Sequence, residues 1–174
     1  MVLLRATAKV LKRLPEDASR SDASDTALGD WYVNRIVIDR QPLLLFVSAE
    51  SRLAMLSPAR DLKSLPQRLA GMVGQRLTRL GVASAVVLAE VTATSTVRVG
   101  RTLNRSITGQ MVDFAKAIPY YLPVNGWDEN TLREAEDRLA ETPCLCGRSA
   151  GTVWPGETAV QLLENRWPND GVLH

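Results

Sequence analysis

Histidine is nearly missing from this 174-residue chain, which carries one, His174, at its carboxyl end. Ser-His and Cys-His nucleophilic catalysis therefore lack the imidazole that would take the nucleophile's proton. Cysteine is almost as scarce, with two residues, Cys144 and Cys146. Two are too few for a disulfide framework, and one intervening residue leaves them awkwardly close for a bridge. The pair offers at most two thiolates, and no second pair or histidine completes the four ligands of a zinc site within the chain. Reduced thiols and no metal are the expectation, with a metal shared between two chains as the alternative. Neither G-x-x-x-x-G-K-[ST] nor G-x-G-x-x-G occurs, so nucleotide and dinucleotide chemistry lack their usual phosphate cradle, and no cofactor is expected. No apolar run approaches the ~20 residues of a spanning helix. Met1 to Arg5 has neither a sustained apolar core nor a small-residue cleavage site, so a soluble cytoplasmic protein without a membrane partner is expected. Aromatics make up 5% of the chain. Trp31-Tyr32 could stack on single-stranded nucleic acid, but no basic residues interleave with the pair, and packing in the core is the simpler reading. A net charge of +2 with pI near 8.7 is too mild to mark a nucleic-acid binder by composition alone.

What is present is ordinary globular composition, 45% hydrophobic and 23% charged, long enough for one core. The stretch from Gly29 to Leu56 organises it. Trp31 to Ile38 is rich in β-branched and aromatic residues, Leu43 to Val47 is five apolar residues without alternation, and Asp39-Arg40-Gln41-Pro42 reads as a four-residue hairpin loop. The unalternated run predicts a strand buried on both faces. Further strands are predicted near 52–56, stopped by Ser57-Pro58, and near 94–100, with 2–6 as an extension. Ser64 and Gln67 have capping-box spacing before a helix over 65–80. A shorter helix from Ser84 to about Val91, one from Ile107 interrupted at Pro119, and one capped by Asp128 follow. Residues 16–26 have almost nothing to bury and read as a mobile surface loop. The predicted fold is a single α+β domain over 1–146, an antiparallel meander of four or five strands packed by the helices at 65–80 and 107–118. Residues 147–174 are a C-terminal extension with one short helix around Val160, Leu163 and Trp167.

The most specific polar cluster lies at Arg98 to Ser106. Arg98, Arg101 and Arg105 crowd the start of a helix with Asn104 and Ser106, where free N–H groups and the helix dipole favour an anion and arginine forks suit phosphate or carboxylate. The bland alternative is that Asn104 or Ser106 caps the helix while the arginines pair internally. Asp39 and Asp113 form an alternative acidic site for magnesium or acid-base work, if the fold brings them together; Asp39 otherwise serves a turn and Asp113 a helix surface. Lys9, Lys12 and Arg13 read as the outer face of a helical turn, and Arg35 and Arg40 as charges near the hairpin end.

Several stretches resemble a known family. They are Arg5 to Leu14, Asp30 to Asn34, Ile38-Asp39-Arg40, Asn104 to Phe114, and Glu141 to Cys144. The resemblance is to small uncharacterised bacterial proteins, a domain of unknown function also seen in plasmid-encoded open reading frames. It departs at Ala6, where the family tends to carry cysteine, and at Val112, where it tends to carry asparagine. The resemblance implies one compact domain and brings no activity. The functional expectation is a non-enzymatic binding module for nucleic acid or a protein partner, in regulation or defence. A magnesium-dependent enzyme of phosphoryl or nucleic-acid chemistry is the alternative, and the reading allows a homodimer.

Overall fold

The computed structural model describes residues 1–145 and 151–169. Strand β1 (Val2–Ala6) and the short helix α1 (Ala8–Leu11) are followed by β2 (Trp31–Ile38), β3 (Gln41–Ser48) and β4 (Ala54–Pro58). A 3-10 turn at Leu62–Ser64 leads into α2 (Leu65–Arg79) and α3 (Ser84–Thr94). Then come β5 (Val97–Arg101), α4 (Arg105–Tyr121), α5 (Glu129–Ala140), the two-residue strands β6 (Cys144–Leu145) and β7 (Thr152–Val153), and α6 (Pro155–Arg166). Cys146, His174 and the start of the tail at Gly147 lie outside the described residues.

The five-stranded sheet has the order β4-β3-β2-β1-β5. The α+β class and the β2-β3-β4 meander agree with the sequence, but the sheet is mixed rather than purely antiparallel, because β1 runs parallel to both β2 and β5. Parallel neighbours require a crossover, supplied here by α1 with the long segment before Trp31, and by α2 and α3 before Val97. The hairpin loop is also tighter than predicted. Asp39 and Arg40 have φ of 50° and 64°, the doubly left-handed two-residue turn whose twist matches the flanking strands. Gln41 and Pro42 are already paired with Ile38 and Val37.

Leu43 to Val47 is fully buried, on both faces as the absence of alternation requires. Leu44 and Phe46 pack with Leu65, Leu69, Val73 and Leu77 of α2, while Leu43, Leu45 and Val47 pack with Ile107, Met111, Phe114 and Leu139 of α4 and α5. α6 adds Ala159 and Leu163 to the first layer. Some boundaries move for local reasons. Pro58 stays in β4 rather than ending it, because β4 is an edge strand and a missing N–H on its open side costs nothing. Pro119 falls in the last turn of α4, which continues to Tyr121. α3 extends to Thr94, so β5 starts later than 94. Ser64 does not cap α2: its hydroxyl donates to the Asp61 carbonyl and accepts from Arg68 Nε. Asp128 does cap α5, in a reciprocal box with Thr131.

Both sheet edges are occupied by polar groups. On β4, Leu56 N–H donates to Glu136 Oε1 at 2.7 Å and the Ala54 carbonyl accepts from Arg76 Nε at 3.3 Å. On β5, Val99 N–H donates to Asp17 Oδ1 at 2.6 Å while the Val99 carbonyl accepts from the amides of Asp17 and Ala18, each at 2.9 Å. The segment expected to be mobile is thus pinned, with Asp25 N–H also bonded to the Met1 carbonyl. Its polar residues serve as strand-edge partners, which a count of apolar residues does not register.

Candidate functional site

The β5–α4 junction starts where β5 leaves the sheet. Asn104 sits in the extended region, and its Oδ1 accepts from the amides of Ser106 at 2.9 Å and Ile107 at 3.4 Å, a side-chain cap on α4. Its own amide donates to the Tyr32 hydroxyl at 3.3 Å. Arg101 leaves the junction and forks onto Glu16, Nε to Oε1 at 3.1 Å and Nη2 to Oε2 at 2.8 Å. That paired geometry raises the Arg101 pKa and lowers that of Glu16. Arg98 pairs with Asp22 at 2.8 Å and donates to the Asp17 carbonyl. Asp22 is held below the ordinary carboxylate range chiefly by the Ser19 amide. Arg105 is exposed and has no ion-pair or hydrogen-bond partner for its side chain among the described residues. Ser106 Oγ accepts from Arg52 Nη2 at 3.3 Å. So Asn104, Arg105 and Ser106 share the first turn of α4, while Arg98 and Arg101 are turned toward the 16–22 segment.

Of the alternative acidic site, Asp39 occupies the hairpin turn and Asp113 an exposed position on α4. Among the described residues no group of three or more His, Cys, Asp or Glu is placed to hold a metal ion. Cys144 is buried, with its thiol directed to the Thr142 carbonyl at 3.5 Å. The most buried charge network lies at the β4 edge, where Glu136 meets Arg76 and Arg79, and both arginines also reach Asp137. Burial pushes the Glu136 carboxyl up, against the opposing pull of the Leu56 amide and the two arginines. This network serves the sheet edge.

A second charged region did not stand out in the sequence. Lys9, Lys12 and Arg13 from α1 and its exit, Arg35 from β2, and Lys63 from the 3-10 turn line one cleft of about 580 Å³, floored by Ala59 and Leu62. Asp61 is the single acid in its wall. None of the five cations makes an ion pair or a side-chain hydrogen bond with a described residue. Elsewhere Arg5, Arg76, Arg79, Arg98, Arg101 and Arg166 all face carboxylates within 4 Å. Against a whole-chain charge of +2, this concentration means that the rest of the molecule is acidic on balance. The reason the cleft escapes a linear reading is topological. Parallel pairing of β1 with β2 carries α1 past Val33 toward Arg35, as the bond from Thr7 N–H to the Val33 carbonyl records, and the end of β4 brings Lys63 to the same place.

No described helix is long and apolar enough to cross a membrane. Comparison with the curated proteins gives no match. The family profile described as domain of unknown function DUF6933 matches residues 3–158, a span that takes in all of the main sheet except Val2, the cationic cleft and the first turn of α4. The chain therefore belongs to the DUF6933 family.

Proposed function

We propose that this protein is a non-enzymatic binding module that holds nucleic acid by its phosphate backbone, with the Lys9–Lys12–Arg13–Arg35–Lys63 cleft as the contact face. The observation that supports the reading is the convergence of five cations from three separate elements, without internal partners, around a cleft with one acid. Like charges held together repel, and a polyanion laid over the five would relieve that repulsion and release its own counterions. The cleft contains no aromatic side chain and no Asn or Gln, so it suits phosphates rather than base edges, and binding should be indifferent to sequence. The bacterial and plasmid setting suggested by the resemblance, and a role in regulation or defence, are consistent with such a module.

The test measures fluorescence anisotropy of labelled single- and double-stranded oligonucleotides at several salt concentrations. The double variant Lys12→Ala/Arg35→Ala should weaken binding by about tenfold or more and make the slope of log affinity against log salt shallower by about two units. Arg101→Ala, which removes an arginine already held by Glu16, serves as the paired control and should leave the slope unchanged. Binding that is absent from the wild type, or equal in the double variant, removes nucleic acid as the partner of this cleft.

A further inference from the structure

The loop between β3 and β4 places an arginine where arginine is costly twice over. Arg52 has φ of 64°, the left-handed region that favours glycine. It is also 7% exposed, and no carboxylate of the described residues pairs with it. Its Nη1 is buried without any hydrogen-bond partner, while Nη2 donates to Ser106 Oγ at 3.3 Å. A buried cation left without a counter-charge is among the more destabilising arrangements a fold can hold.

The loop does not adjust to relieve either cost, because it is fastened on both sides. Ser48 Oγ donates to the Leu28 carbonyl at 2.8 Å and shares a hydrogen bond with Ser51 Oγ at 2.9 Å. The amides of Ser51 and Leu53 donate to these hydroxyls, and the amide of Arg52 donates to the Ser48 carbonyl at 3.1 Å. Glycine at position 52 would remove the backbone strain and the isolated charge together, at the cost of the packed side chain and its bond to Ser106.

The guanidinium is directed at the first turn of α4, a helix of 17 residues. Asn104 occupies the amides of Ser106 and Ile107, which leaves the Arg105 amide at the positive end of the dipole. Arg105 and Ser106 are exposed, so this end is reachable from solvent, and the Ser106 hydroxyl, an acceptor toward Arg52, keeps its own proton to donate. The nearest acid in the loop, Glu50, lies over Gly29 instead.

We infer that the junction between Arg52 and the first turn of α4 is a binding site for a single oxyanion, phosphate or carboxylate, with the Arg52 guanidinium, the Ser106 hydroxyl and the Arg105 amide as donors. The anion supplies the counter-charge that the fold withholds from Arg52. The β3–β4 loop and the β4–α2 connection leave opposite ends of the sheet, so this site is separate from the cationic cleft and does not depend on nucleic acid binding there.

The experiment compares thermal unfolding of the full chain in sodium phosphate, sodium acetate and sodium chloride at matched pH and ionic strength. In wild type, phosphate or acetate at ~100 times its Kd should raise Tm by about 5–10 °C over chloride, and the anion that does so identifies the ligand class. Arg52→Gly, whatever its Tm in chloride, should show no anion-dependent shift. Arg52→Lys, which keeps charge but not the fork, should show a reduced one. As a readout on the unaltered protein, the bound anion should move the amide NMR resonances of Arg105 and Ser106. The inference is overturned if neither anion shifts wild-type Tm, if Arg52→Gly shifts as much as wild type, or if the resonance changes fall on Lys9 to Arg13 instead of α4.

Discussion

Glu136 shows how one residue can serve a strand and an ion-pair network together, and its titration should be visible. Burial raises its pKa above the ordinary carboxyl value of 4.5. The stability that this shift contributes is full below that ordinary value and is lost as pH rises through the raised folded one. Glu16, Asp22 and Asp128, whose values are lowered, act in the opposite direction, losing their contribution as pH falls through their folded values. Denaturant midpoints of wild type and Glu136→Gln should therefore differ by an amount that changes as pH rises from 4.5 through the raised folded value and then levels off, with wild type losing relative stability over that window. A pH-independent difference would show that Glu136 does not titrate differently in the folded state. Glu136→Ala should be far more damaging, costing about 3–5 kcal/mol, because it strips the buried Arg76 of its closest buried counter-charge and leaves the Leu56 amide without an acceptor. Asn104→Ala should cost about 1 kcal/mol by releasing two amides at the start of α4.

At the scale of elements, the two glycines of α2 give opposite predictions from the same substitution. A Cβ on Gly71 meets nothing within 4 Å, whereas one on Gly74 would lie 2.9 Å from Val91 Cγ2 of α3. Gly71→Ala should thus stabilise the protein by about 0.5–1 kcal/mol through helix propensity, and Gly74→Ala should lose that gain to the contact with α3. Urea midpoints of the two variants, read side by side, check the spacing of α2 and α3. The helices and the hairpin were legible because their signals are local: the apolar stripe from Leu65 to Leu77, the Asp128 cap, and the unalternated run from Leu43 to Val47. The direction of β1 was not legible, since five buried residues from Val2 to Ala6 read the same whether their neighbours run parallel or antiparallel. The candidate sites divide in the same way. Asn104 at the helix start could be read from spacing, but the capture of Arg101 by Glu16, the convergence of Lys9, Arg35 and Lys63, and the isolation of Arg52 are all long-range facts. Only the positive φ of Arg52 had any local origin, and a loop of Ala-Glu-Ser-Arg carries no signal that arginine rather than glutamate takes the left-handed position.

For the molecule as a whole, the central place of β1 has a consequence for the order in which the fold can form. β2, β3 and β4 are joined by tight connections and pair with near neighbours in sequence, so they can assemble early. β1 pairs with β2 on one side, but its other side waits for a partner far along the chain, with Val2 seated against Val97 and Ala6 against Arg101. Closing so long a loop is entropically slow and is rewarded only when β5 arrives with α2 and α3 already packed. Kinetic measurements should therefore separate the two halves of the sheet. Phe46→Leu, in the meander, should slow folding. Val99→Ala, in β5, should leave the folding rate nearly unchanged and speed unfolding, the signature of contacts made after the transition state. Until β5 docks, the apolar strand β1 has an unpaired side, and during that interval the chain is exposed to wrong pairing with other copies, so refolding yield should fall with protein concentration even though the finished sheet has no open edge at Val99 or Leu56.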